Sequence, residues 1–205
     1  MLLPSLLALA QWAGIVMPTL YAGITLQYSL TFSVLVSPLL SPTPNSKLLA
    51  RQWLRIYQQG PYWVPPLIHT GSIANLYLAY HSHSPQEAAP HPSFLLYLTA
   101  AALTFSILPI TFCYMEPGIN GACKWKVAGL LRDEGFSMPE GGAGLVRAGV
   151  ARHSASEEAK RWADGSDMKD LVGCWVRRNH GRWVIGVGAG VVSFWGLRCS
   201  LPADA

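Results

Sequence analysis

His69, Glu116, Asn120, Trp175, Asn179 and Arg182 are the residues of this chain whose types and spacing could do chemistry. His69 lies inside the apolar stretch PYWVPPLIHTGSIANLYLAY, and an imidazole, which exchanges protons near neutral pH, can act there as a general base. The same ring hydrogen-bonded to a neighbour would be no more than a core residue. Glu116 and Asn120 stand in YMEPGIN, at the far end of another apolar run. Trp175, Asn179 and Arg182 follow in LVGCWVRRNHGRW at i, i+4 and i+7, which puts them on one helix face. Arg178 shares that side and Arg177 is rotated away, and for both a reach to lipid phosphates suffices as an explanation. Arg182 lies about two turns beyond Trp175. A charge at the membrane centre costs roughly 2.5–3.5 kcal/mol on insertion scales, so an inward ionisable group is a functional candidate. Gly186 and Gly190 continue on its side and let another backbone approach closely. Three distant segments thus place polar groups in one layer, and a pocket is expected there.

The elements that must carry these residues follow from composition. The 205 residues are 51% hydrophobic and 13% charged, with mean hydropathy +0.26, against about 25% charge in an ordinary soluble domain. Runs of about 20 apolar residues are long enough to cross a bilayer. They predict an all-α, integral membrane four-helix bundle, a single membrane domain over 1–205 with spans at about 8–36, 62–82, 93–115 and 172–197. The first run has no basic leader, and Gln11 and Trp12 interrupt it, so it reads as a span rather than a signal peptide. KLLARQWLRIYQQG repeats Lys47, Arg51 and Arg55 on one face, with Leu49, Trp53, Ile56 and Tyr57 opposite, and predicts a separate cytoplasmic interfacial helix. The third span contains Pro109 and is expected to kink there, to end near Met115 and to restart as a helix after Pro117-Gly118. A flexible cytoplasmic insert is expected at about 135–165, between spans three and four. Ser154 and Glu157 are spaced as a capping box for a short helix within it, and Asp167 can cap the last helix.

No Lys or Arg occurs from 1 to 46 or from 56 to 123. Eleven of the 15 Lys and Arg residues therefore lie in the first and third loops. Such a distribution speaks against nucleic acid, and it places both loops in the cytoplasm and both termini in the lumen of an endoplasmic reticulum-type membrane. The four cysteines form no CxxC pair, which disfavours a redox motif or zinc knuckle. His81, His83 and His91 are loosely spaced and short of acidic partners, so no metal site is expected. One intraspan histidine does not suit a haem bundle, and GVGAG at 186–190 is helix packing rather than a phosphate loop. The oligomeric state is not legible.

LARQWLRIYQQG before the second span, LPITFCYMEPGING closing the third and LVGCWVRRNHGRW opening the fourth together resemble the anthrone oxygenases, small fungal membrane proteins of polyketide pathways. Pro109, Thr111, Met115, Pro117 and Asn120 match one family motif; Trp175, Asn179 and Arg182 match the other. The resemblance implies oxidation of an aromatic polyketide anthrone to an anthraquinone by molecular oxygen, with no cofactor. For that chemistry His69 is the expected base, Asn179 and Arg182 the partners of the enolate oxygen or peroxide, Trp53, Trp63 and Trp175 the stacking surfaces for the substrate, and Glu116 and Asn120 further substrate contacts. The competing expectation is a non-catalytic four-span carrier or scaffold for a hydrophobic metabolite.

Overall fold

In a computed structural model that describes residues 5–37, 45–83, 91–139 and 151–201, nearly every one of these residues is helical. In chain order the elements are α1 (Leu6–Leu35), α2 (Ser46–Ser82), α3 (Pro92–Pro109), a widened π-helical stretch (Ile110–Asn120), α4 (Gly121–Leu130), a 3-10 turn (Arg132–Glu134), α5 (Glu157–Asp164) and α6 (Met168–Ser200). Three of the helices are long and apolar enough to cross a membrane: Leu6–Leu35, Pro92–Leu130 and Met168–Ser200.

Three expectations are corrected. The interfacial helix and the second span are one 37-residue helix. It runs unbroken through Gly60, Pro61, Pro65 and Pro66, which long membrane helices tolerate when neighbours satisfy the freed carbonyls. That helix is not among the three that are apolar enough to cross. Ser72 and Asn75 dilute its second half, and both are buried inside the protein. The third span does not stop near Met115. Helix runs on past Met115 to Pro117, breaks at Gly118 and restarts to reach Leu130, so the restart after Pro117-Gly118 is where it was expected and only the end near Met115 is corrected. The widened turns begin directly after Pro109, and the sharp break falls at Gly118, at φ −95° and ψ −110°. Pro109 and Pro117 each remove a donor from the helical ladder, and wider turns accommodate the loss. Lastly, Ser156 rather than Ser154 caps α5, accepting from the Ala159 amide.

Tertiary contacts divide the chain into two compact units. The first comprises Met1–Ile24, Trp63–Leu108 and Arg182–Ala205. Its helical segments approach closely where side chains vanish. A Cβ on Gly186 would lie 2.9 Å from the Pro18 carbonyl, and one on Gly190 would lie 2.5 Å from the Thr19 hydroxyl. α6 therefore packs backbone-close on α1, as the glycine spacing implied. Asn75, fully buried, binds α2 to both: its amide donates to the Gly14 and Gly71 carbonyls at 3.1 and 3.0 Å, and its oxygen accepts from Ser193 at 2.8 Å. Along α2, Tyr62, Pro66, His69, Ile73, Leu76 and Tyr80 are all exposed. The two tyrosines are 18 residues apart, about 27 Å of helix, close to the ~30 Å of a hydrocarbon core.

The second unit comprises Thr25–Tyr62 and Pro109–Gly181. Phe32, Leu49, Trp53, Met115, Ile119, Val127, Leu171, Val172 and Trp175 form its core, and Ala159 and Ala163 of α5 join it. Of the segment expected to be a flexible insert, 140–150 lies outside the described residues. The described remainder is packed rather than free. At its edge Lys47 pairs with Asp133 and Arg51 with Glu134. The hydrogen bonds from Lys47 and Arg51 hold the two carboxyls below their usual range.

Candidate functional site

The densest polar chemistry lies in the second unit and centres on Glu116. The π-helical stretch carries this carboxylate into the core, where it is 4% exposed. The Tyr57 hydroxyl and the Asn120 amide donate to Oε1, the latter at 2.8 Å. Lys124 Nζ and the Ser154 hydroxyl donate to Oε2, both at 2.9 Å. A carboxylate offers about four lone-pair sites, so these donors fill it. Glu116 organises its neighbours and has no acceptor capacity left for a substrate proton. Lys124 is fully buried and also lies over the Tyr57 ring. Asn120 passes the network on, accepting from Trp175 Nε1 at 3.0 Å.

Ser154 reaches Glu116 because the backbone at Ala155 crosses Gly121, where a Cβ would lie 2.5 Å from the Ala155 Cα. The Ser156 amide donates to the Pro117 carbonyl at 2.9 Å and pins the same crossing. Trp53 stacks on Tyr57 with centroids 4.8 Å apart, and both Trp53 and Phe32 meet Trp175 edge-on. Packed in this way, Trp53 and Trp175 have no free ring face for a planar ligand.

The residues singled out from sequence therefore part company. Glu116, Asn120 and Trp175 form one hydrogen-bonded network, with Trp53 packed beside it. Asn179 is buried in the same unit, one turn beyond Trp175. Arg182 belongs to the first unit; it is 9% exposed and its guanidinium lies over the Tyr21 ring at 5.7 Å. His69, also in the first unit, and Trp63 are exposed on α2. Arg177 and Arg178 face outward too, and Arg178 bonds the Tyr114 hydroxyl. Sequence reasoning missed Tyr57, Lys124 and Ser154. A buried lysine eight residues from a glutamate in an apolar run was the available signal.

The first unit also holds an open-sided cavity of about 480 Å3, lined by Leu7, Gln11, Leu78, His81, His91 and Tyr97 among others. Two of the histidines considered as metal ligands thus share a cavity, but no group of three or more metal-binding side chains stands among the described residues.

Comparison with known proteins agrees with the sequence motifs. A family model described as "Anthrone oxygenase" matches residues 53–192. No curated protein and no solved structure matches the chain.

Proposed function

The chain belongs to the anthrone oxygenase family, and from that membership we propose that it oxidises a polyketide anthrone to the anthraquinone with molecular oxygen. The match over 53–192 carries the proposal; the helices that suit a bilayer support an apolar substrate.

The chemistry asks little of a cofactor. An anthrone carries a methylene between two aryl rings, made acidic by the ketone opposite. Removal of one proton leaves a delocalised carbanion. It passes an electron to oxygen, and the radical pair recombines as a peroxide anion, which is protonated to the hydroperoxide. Loss of the second methylene proton, with cleavage of the O–O bond, forms the new carbonyl and expels hydroxide, which leaves as water. The methylene supplies all four electrons that oxygen takes up. The protein supplies a proton acceptor, donors for the enolate oxygen and a dry space.

Asn179 and Arg182 are both buried on α6, and each is proposed to order the helices of its own unit. His69 is the base suggested by sequence, and it stands exposed on α2. The second half of α2 is proposed as a fourth crossing, supported by its tyrosine-flanked outer stripe. The basic loops are then cytoplasmic and both termini lumenal, in an endoplasmic reticulum-type membrane.

Oxygen uptake by purified protein given an anthrone tests this reading. Turnover above the protein-free rate is expected with a chelator present and no nicotinamide or flavin added. Loss of turnover on chelation, restored by one particular metal, would overturn the cofactor-free part. Binding of the anthrone without turnover would favour the carrier.

A further inference from the structure

We propose that the anthrone is bound in the cavity of the first unit and that His81 takes its methylene proton there, an assignment that rests on the oxygenase reading. Size is the first argument. Small-molecule pockets commonly measure about 300–1,000 Å3; this cavity, at about 480 Å3, falls in that range. A cleft in the second unit, beside Trp125 and Asp164, is only about 230 Å3.

The lining is the second argument. Leu7, Leu78 and Leu201 give apolar walls, while Gln11, His81, His91 and Tyr97 give polar groups. This is the mixture that a flat, oxygenated aromatic molecule needs. Tyr97 is 1% exposed and its hydroxyl makes no hydrogen bond. Ser200 stands beside it, and its own hydroxyl donates to the Leu197 carbonyl at 2.8 Å. A buried hydroxyl without a partner is costly, and a ligand oxygen would satisfy it. The ring is held on α6 at Gly196, where a Cβ would lie 2.9 Å from it.

The two imidazoles are not equivalent. His91 stands just before α3, and its Nδ1 accepts from the Ser93 amide at 3.3 Å, with the Ser93 hydroxyl at 2.6 Å. An accepting Nδ1 leaves the proton on Nε2. His91 is therefore a donor, suited with Tyr97 to the enolate oxygen that forms opposite the methylene. His81 stands in the last turn of α2 and is exposed, as His69 is, but it lines the cavity that Tyr97 and His91 share. It packs against the Tyr77 and Tyr80 rings at 4.4 and 5.6 Å. From there His81 takes the first methylene proton. It returns that proton to the peroxide, then takes the second methylene proton as the O–O bond breaks and gives it to the departing hydroxide. Protons and electrons then balance with oxygen as the only co-reactant.

The test compares wild type, His81→Ala, His81→Gln, Tyr97→Phe and His69→Ala, each assayed for anthrone-dependent oxygen uptake and for binding of the anthraquinone product by fluorescence. Both His81 variants should still bind the quinone, which shows that they are folded, and should lose roughly 100- to 10,000-fold in turnover. Tyr97→Phe should weaken quinone binding. Wild-type turnover in His81→Gln would overturn the assignment, and so would loss confined to His69→Ala. An inactive wild type would instead refute the oxygenase reading itself.

Discussion

Glu116→Gln should unfold the second unit in detergent at a temperature where the wild type is intact. The substitution keeps the shape but removes the charge that faces Lys124, which is fully buried. Breaking a buried pair by removing one partner costs about 3–5 kcal/mol, because the other charge stays uncompensated. The amide also puts two hydrogens where donors now point, so it opposes at least one of Tyr57, Asn120, Lys124 and Ser154. The double variant Glu116→Gln, Lys124→Met should recover much of the loss, since it removes the buried charge that the single variant leaves uncompensated. Thermal unfolding followed by circular dichroism reads both. A Glu116→Gln protein as stable as wild type would mean that the network is not what holds α2, the π-helical stretch and the 154–156 segment together.

Asn75→Leu should be the most damaging single polar-to-apolar change in the first unit. The side chain is fully buried and holds three partners on α1, α2 and α6. Interhelical hydrogen bonds between membrane helices average only about 0.6 kcal/mol. The Ser193 hydroxyl, however, would be left buried with only its own helix to bond, and leucine must fit where Gly14 now touches the amide. A loss of about 1–3 kcal/mol is expected, smaller than for Glu116 because no buried charge is left uncompensated; the Gly71 carbonyl keeps its helical donor, whereas the Gly14 carbonyl loses its partner, since Pro18 four residues on has no N–H. Asn75→Leu combined with Ser193→Ala should be less destabilised than Asn75→Leu alone. Additive losses in that pair would contradict the coupling.

The existence of the helices was legible because a run of about 20 apolar residues has few alternatives. Their continuity was not. Gly60-Pro61 divides the expected interfacial helix from the second span, yet the ladder runs past it. Periodicity also tells which residues share a face, but not which face looks inward. His69 shows this. Asn75 lies six residues on, about 240° round the helix at about 100° per residue. Taking Asn75 as the inward group would have turned His69 outward. Glu116 was legible as a polar residue in the right stretch, but its partners were not, since Tyr57 and Ser154 are 59 and 38 residues away. Tyr57 had been read as part of the apolar face of an interfacial helix, and its hydroxyl is what the fold uses.

The most direct measurement of the central claim is the ratio of oxygen consumed to quinone formed by protein reconstituted in vesicles with an anthrone. Both atoms of oxygen are accounted for by one new carbonyl and one water, so the account predicts one oxygen per quinone, no hydrogen peroxide, and a rate above that of protein-free vesicles. Quinone formed only at the protein-free rate while the anthrone binds, or one hydrogen peroxide released per oxygen consumed, would contradict it.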